Sequence, residues 1–339
     1  DSLNLFNFSV NGWLGRWPDN KEQLNRKYSA TGALLDEFQQ SAATTAPSKG
    51  VDLNLGYTRK FKKPGEELYL MAQVNRSADD FNYNSLQTRA ERIIVYREIN
   101  NNRTNNTEWT FQGDYILPLN KSGKHALESG IKAIVRSGGT VYDVQESGES
   151  DPNNTIPNPS RSDTFDYSQD VLAAYSQVKL KWNSGWALHA GGRMEGTFLE
   201  GKQRTLGTSF KNDFWNFVPS ATLFKKLNAY NNLTLSYTKR ISRPSLWNLN
   251  PNANSQDPNN ISVGNPSLRP EEVNQTEFTY ALQTDHDRFL NFSLFARKTN
   301  NAMERIVKLG ENGVATSMMQ NLASNSQYGV NFSTAFNVL

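Results

Sequence analysis

The sequence predicts an all-β protein, a transmembrane antiparallel β-barrel, on three observations. Apolar and polar residues alternate with a period of two in segment after segment, the alternation outruns a sandwich strand, and the connections are by turns short and long. A strand with that period has one wet face and one apolar face. Repeated along a whole chain, the pattern leaves a sandwich with apolar faces inward, or a barrel with apolar faces toward lipid around a polar lumen. Sandwich strands run about 5–6 residues, whereas a tilted bilayer-spanning strand needs about 9–11. Residues 167–182 contain no Gly, Pro or Asn, so one strand can fill that span. A sandwich gives no reason for every second connection to be long, and a barrel does, because its extracellular loops exceed its periplasmic turns.

In order, the expected spanning strands are 2–13, 51–61, 66–80, 106–118, 124–138, 166–182, 186–200, 214–226, 232–242, 274–283, 288–299 and 325–338. In the second, Val51, Leu53, Leu55 and Tyr57 oppose Asp52, Asn54, Gly56 and Thr58. In the fourth, Trp109, Phe111, Gly113, Tyr115 and Leu117 oppose Thr110, Gln112 and Asp114. Leu172, Ala174, Ser176, Val178, Leu180 and Trp182 share one face of the sixth. Leu290, Phe292, Leu294 and Ala296 do so in the eleventh, and Tyr328, Val330, Phe332, Thr334 and Phe336 in the twelfth. Short turns are expected at 62–65, 120–123, 183–185, 227–231 and 284–287, and long polar loops at 77–105, 138–162, 200–212, 242–273 and 299–324. The parity holds with 85–100 as an extension inside an extracellular loop, and 14–50 receives no strand.

Aromatic residues stand where a lipid boundary favours them. Trp182 and Trp186 flank a short turn, Tyr115 precedes another, and Phe214, Trp215 and Phe217 open a strand after a long loop. The faces opposite the apolar ones carry Glu128, Lys132, Arg136, Lys179, Lys181, Arg193, Glu195 and Arg240. A charge facing lipid at the midplane costs about 2–4 kcal/mol, so these are expected to face a watery lumen. Their mixed signs argue against a pore field of one sign.

The 339 residues have a net charge of +3 and no cysteine, which excludes disulfides, thiolate metal sites and Cys nucleophiles. The small positive excess implies no nucleic-acid partner. A mean hydropathy of −0.67 suits strands that are half polar. No N-terminal signal segment is visible.

Arg240, Ile241, Ser242, Arg243, Pro244 and Ser245 leave one strand, and Leu249, Asn250 and Pro251 follow. Then Gly264, Asn265, Pro266, Ser267, Leu268, Arg269, Pro270 and Glu271 lead into the next strand. A second phrase runs Gly113-Asp114-Tyr115-Ile116-Leu117-Pro118-Leu119, then Leu127-Glu128-Ser129-Gly130-Ile131-Lys132. Over most of 51–339 the chain resembles the barrel of TonB-dependent outer-membrane receptors, notably the outer-membrane β-barrel family abundant in Bacteroidetes. Physically the first motif shapes a rim. Pro244 and Pro266 cannot donate to a ladder, Gly264 is expected to permit a tight turn, and Glu271 is expected to pair with Arg240 or Arg243. Beside that structural role, Arg240, Arg243, Trp247, Asn250, Asn265 and Glu271 are candidate ligand contacts.

The resemblance implies import of a scarce solute across the outer membrane of a Gram-negative bacterium: a siderophore, a cobalamin or an oligosaccharide. It implies a plug domain pulled by TonB–ExbB–ExbD, outer-membrane lipid around the barrel, and a surface lipoprotein as a further partner. The sequence departs from the pattern. It shows neither plug nor TonB box, about a dozen strands stand against the 22 of plugged transporters, and it ends at Asn337, Val338 and Leu339 without a terminal aromatic. Residues 1–339 are therefore expected to form one barrel domain as an internal piece of a larger receptor. A structural or secretion-associated barrel and a passive porin are the alternatives.

Catalysis finds no support. His125, His189 and His286 lie at or near short turns on the periplasmic side, away from any extracellular rim. No His-x-His or HExxH occurs, and Glu146, Glu149, Asp151 and Asp163 lack EF-hand spacing. No enzyme activity, metal or cofactor is expected.

Overall fold

The computed structural model describes residues 3–89, 93–148, 151–205, 207–254, 257, 259–283, 288–310, 313–322 and 324–335. The expected turn at 284–287 with His286, the acid Glu149, the outward Phe336 and the terminal Asn337, Val338 and Leu339 lie outside them.

The strands are β1 (Asn4–Tyr28), β2 (Leu34–Lys60), β3 (Glu67–Thr88), β4 (Ile94–Pro118), β5 (Ala126–Glu146), β6 (Ile156–Pro157), β7 (Asp163–Lys181) and β8 (Trp186–Gln203). They continue as β9 (Ser209–Lys226), β10 (Asn231–Ser242), β11 (Asn260–Val263), β12 (Glu271–Gln283), β13 (Phe289–Asn300), β14 (Met303–Leu309), β15 (Ala315–Asn321) and β16 (Asn325–Ala335), with a four-residue helix α1 (Leu246–Leu249) after β10. The main sheet has 13 strands in the order β1-β2-β3-β4-β5-β7-β8-β9-β10-β12-β13-β16, with β6 beside β5. Its neighbours all run antiparallel. Among the described residues β1 and β16 are its edges, so this is part of a barrel wall rather than a closed ring. Among the described residues no helix is long and apolar enough to cross a membrane.

All the expected strands are present, but several are much longer than expected. Residues 14–50, left without structure by the sequence, continue β1 and begin β2, paired from Asn4 opposite Arg59 to Tyr28 opposite Leu34. The 77–105 loop is instead mostly hairpin: β3 and β4 pair up to Thr88 opposite Ile94, so 85–88 and 94–100 are strand. The reason is that ladder hydrogen bonds do not require an apolar face. Strands polar on both sides continue into water, where period two carries no contrast to read.

Four of the five expected short turns, at 62–65, 120–123, 183–185 and 227–231, are where the sequence places them. Gly65, Gly123 and Gly185 have φ of 81°, 67° and 82°, the left-handed region that glycine enters without cost. Trp182 N–H donates to Trp186 O at 2.9 Å and closes one turn. Asn228 Oδ1 accepts from the N–H groups of Tyr230 and Asn231 and closes another.

Face assignment follows from register, because directly paired residues share a face. Leu55, Phe111, Ile131, Leu172, Met194 and Trp215 are exposed on the apolar face. Every charge expected in the lumen lies on the other face, where Lys179 pairs with Glu128, Arg136 with Glu108, and Arg193 with Glu195 at 3.0 Å. Trp182 and Trp186 are exposed beside their turn, with Lys225 Nζ 4.8 Å over the Trp186 ring. The aromatic trio after the 200–212 loop divides: Trp215 and Phe217 face out, while Phe214 packs inward.

A second sheet, β11-β15-β14, comes from the loops after β10 and β13, with β11 and β15 parallel. It lies against the polar side of the wall. Asn259 Nδ2, beside β11, reaches Asn25 Oδ1 of β1 at 2.9 Å, so the wall curves around the loops and places them inside.

Candidate ligand site at the extracellular mouth

Four short turns mark the periplasmic end, which puts the long strand ends and both large loops at the extracellular mouth. There the inner wall changes character. Phe165, Tyr167 and Leu199 point inward from β7 and β8 and form a buried cluster with Leu249 and Leu268 of the 243–270 loop. Leu246, Met303 and Met319 pack against it. Phe165, Leu249 and Leu268 are fully buried. The two loops thus dock as one body through apolar burial.

The sequence motifs build this body. Ser245 caps α1, its Oγ accepting from Asn248 N–H at 3.3 Å. Gly264 does not serve a turn of positive φ, contrary to expectation. A Cβ there would lie 2.1 Å from Asn250 O, so glycine is needed for the approach of two backbones. Asn265 Oδ1 accepts from Ser267 N–H, and its Nδ2 donates to Met319 O at 3.0 Å, joining the loops. Asn250, 4% exposed, donates to Tyr142 Oη at 2.7 Å and ties the loop to β5.

The expected pairing of Glu271 with Arg240 or Arg243 is not formed. Glu271 accepts from Met303 N–H at 2.6 Å, because the 301–322 loop lies over it. Arg243 is held by Glu195 and Thr197 Oγ1 on β8. Arg240 and Trp247 are exposed. Trp247 and Asn250 meet at a cavity of about 30 Å³ between loop and wall, where the buried side-chain oxygens of Asn100 and Asn102 have no protein partner among the described residues. That is room for one water molecule, not a solute.

Sequence reasoning missed the larger feature beside it. A cavity of about 620 Å³ lies between the inner faces of β2, β3 and β4, the 147–162 loop and Ile261 of β11. Its organising residue is Arg161. The Asn158 side chain accepts from Ser160 and Arg161 N–H groups, a turn that aims the guanidinium inward. Arg161 forks onto Glu98, at 2.8 Å and 3.0 Å, and reaches Glu146 at 2.9 Å. Tyr83 Oη donates to Glu98 at 2.6 Å, and Tyr96 Oη donates to Glu98 and Glu146. Burial and the nearby Glu98 raise both phenols well above the ordinary range. Burial works against the Arg161 cation, but its bonds to Glu98 outweigh that and hold it charged. Burial next to Asp163 pushes Tyr142 up to about 12. The Asn-Pro-Ser-Arg run at 158–161 was the available signal, since Asn and Ser form such turns.

The remaining candidate chemistry is engaged elsewhere. Glu146 pairs with Arg161, and Asp163 Oδ1 accepts from Thr205 N–H. His125 accepts from Lys181 N–H at the periplasmic turn.

An antiparallel wall with a lipid-facing apolar side, a charged inner side and loops folded into its extracellular mouth defines a Gram-negative outer-membrane β-barrel protein. The chain belongs to the outer membrane protein beta-barrel family, whose model matches residues 59–339. Among solved structures it is similar to BauA, the ferric preacinetobactin receptor from Acinetobacter baumannii, with TM-score 0.54, 10% identity, and coverage of 96% of this chain and 52% of that one. It is also similar to a double mutant of the Serratia marcescens hemophore receptor HasR, in complex with its hemophore HasA and heme, with TM-score 0.52, 11% identity, and coverage of 99% and 61%. At these identities the likeness is one of fold, and the chain spans 52% and 61% of those receptors. The outer-membrane β-barrel family resemblance carried by the two motifs is thereby upheld, and the two neighbours that share the fold are receptors rather than enzymes. No curated protein matches.

Proposed function

We propose that residues 1–339 are part of the barrel domain of a TonB-dependent outer-membrane importer. The observation that carries this reading is the docked pair of loops. They fold over the inner face of the wall on an apolar cluster shared with β7 and β8, so a solute crossing at this side must pass or displace them. A passive porin needs an open, wetted channel instead. The structural neighbours, a hemophore receptor and a ferric preacinetobactin receptor, support the same reading. In it, a plug domain and the TonB–ExbB–ExbD complex supply the pull, and outer-membrane lipid surrounds the exposed apolar band. Arg240 and Trp247, exposed at the rim, contact arriving solute. Arg243, Asn250, Asn265 and Glu271 hold the rim in shape through the bonds described above.

The test is uptake by cells carrying the full receptor, with and without the energising complex. Uptake is expected to be saturable and to disappear with the complex. Uptake that persists without it and rises linearly with solute would make the protein a porin.

A further inference from the structure

The 620 Å³ cavity falls within the roughly 300–1,000 Å³ of small-molecule sites. Its chemistry restricts what it can hold. Among the described residues, each cation on its wall already has an acid. Arg161 is answered by Glu98 and Glu146, and Arg89 by Asp36 at 3.3 Å. Of the charged residues, Arg89, Arg161 and Glu98 line the cavity, and Asp36 and Glu146 balance the arginines from behind it. To replace its hydration here, an anionic ferric chelate would have to displace the carboxylates already bound to both arginines, and it would meet Glu98 on the wall.

What the wall offers is neutral. Gln87 presents an amide, and the Ser85 hydroxyl accepts from Gln40 Nε2 at 2.9 Å while keeping a proton to donate. Tyr96 presents a ring whose hydroxyl is anchored on Glu98 and Glu146, so the ring is held in place before any solute arrives. Amides and hydroxyls exchange hydrogen bonds with sugar hydroxyls, and a fixed aromatic ring receives the C–H face of a pyranose. Ile261, from the docked loops, lines one side, so a solute seated here touches the loops as well as the wall.

From this cavity we infer that the imported solute is a neutral saccharide, with one unit seated against Tyr96 and hydrogen-bonded to Gln87 and Ser85. The inference rests on the importer reading and names its class of solute.

The test uses the full receptor in detergent, titrated calorimetrically with neutral hexasaccharides of glucose, mannose and xylose, and separately with ferric citrate and a ferric tris-catecholate. At least one hexasaccharide is expected to bind saturably. Tyr96→Ala and Gln87→Ala should each weaken it about tenfold, the value of a hydrogen bond or stacking contact, and Ser168→Ala, on the outer face, should leave it unchanged. Gln87→Ala removes no anchoring bond, so it stays informative should Tyr96→Ala fail to fold. Binding of the ferric anions alone, binding of none of the probes, or saccharide binding indifferent to both substitutions overturns the inference. Energised uptake of a ferric chelate with no saccharide uptake overturns the inference and leaves the importer standing. Saccharide entry without the energising complex overturns the importer and leaves the saccharide site.

Discussion

The lower half of β7 turns Leu172, Ala174, Val178 and Leu180 outward, and Tyr175, Gln177 and Lys179 inward. Its upper half turns Thr164, Asp166, Ser168 and Asp170 outward, and buries Phe165 and Tyr167 inward. One unbroken strand therefore carries two opposite polarities without changing its geometry. The difference lies in the solvent. Below, the outer face meets lipid and the inner face is wet. Above, the outer face meets water and the inner face meets the docked loops, a buried interior like that of a soluble protein. β8 repeats the reversal, with Arg193 and Glu195 inward below the fully packed Leu199.

The largest expected effect tests the upper half. Phe165→Ala removes a fully buried ring and should cost about 3–5 kcal/mol. Hydrogen exchange is expected to accelerate in β11, β14 and β15, with the lower half of β7 unaffected. Equal loosening of both halves would make the strand one cooperative unit, with no separate upper interior.

Next comes a matched pair on the outer face. Leu172→Arg should cost about 2–4 kcal/mol in urea-dependent folding into lipid vesicles, while Ser168→Arg should stay within about 0.5 kcal/mol. Similar costs would put both positions in the same solvent and move the membrane boundary.

Gly264→Ala should disturb the docked loops by about 1–3 kcal/mol, since its Cβ meets the Asn250 carbonyl. Limited proteolysis of intact receptor should then cut within 246–264, with the barrel still resistant to heat in detergent. A protected loop would show that the two backbones can part without undocking.

The smallest effect is a titration. Tyr83, Tyr96 and Tyr142 have raised phenol values above the membrane band, so the folded state keeps protons that the unfolded chain loses from about pH 10. Their contribution to stability is complete below that pH and is lost as pH rises through their folded values. In absorbance at 295 nm, Tyr142→Phe should remove a late-ionising component near pH 12 and leave the early one unchanged. Loss of the early component instead would mean that Tyr142 is not buried.

The membrane band was legible because it is a local property. Each residue such as Ile131 or Leu172 needs only the lipid beside it, and alternation records that directly. The same logic made Glu128, Lys132 and Arg193 readable as inward. The hairpin ends at 14–50 and 85–100 were not legible, because polar residues on both faces erase the period. Phe165, Leu199 and Leu268 could not be recognised as one cluster, since they meet only when distant loops fold over the wall. The rim motif announced a special loop but not its contacts. Glu271 found a backbone N–H of the 301–322 loop rather than an arginine, and Arg161, marked only by the turn residues before it, organised the cavity.

By itself the sequence determined which face of each spanning strand meets lipid, where the short turns fall and which family the motifs resemble. These rest on solvent preference and on backbone restrictions of Gly and Pro, both carried by the residues themselves. Only the tertiary structure decided how far the strands run into water, that two loops fold inward as one body, and that a charge-balanced cavity lies beneath them. Those depend on pairings between residues tens to hundreds of positions apart, such as Asn250 with Tyr142 and Asn259 with Asn25, which no local pattern records. The opposed halves of β7 join the two: the alternation was written in the chain, and its reversal acquired meaning when the loops supplied a dry partner for Phe165.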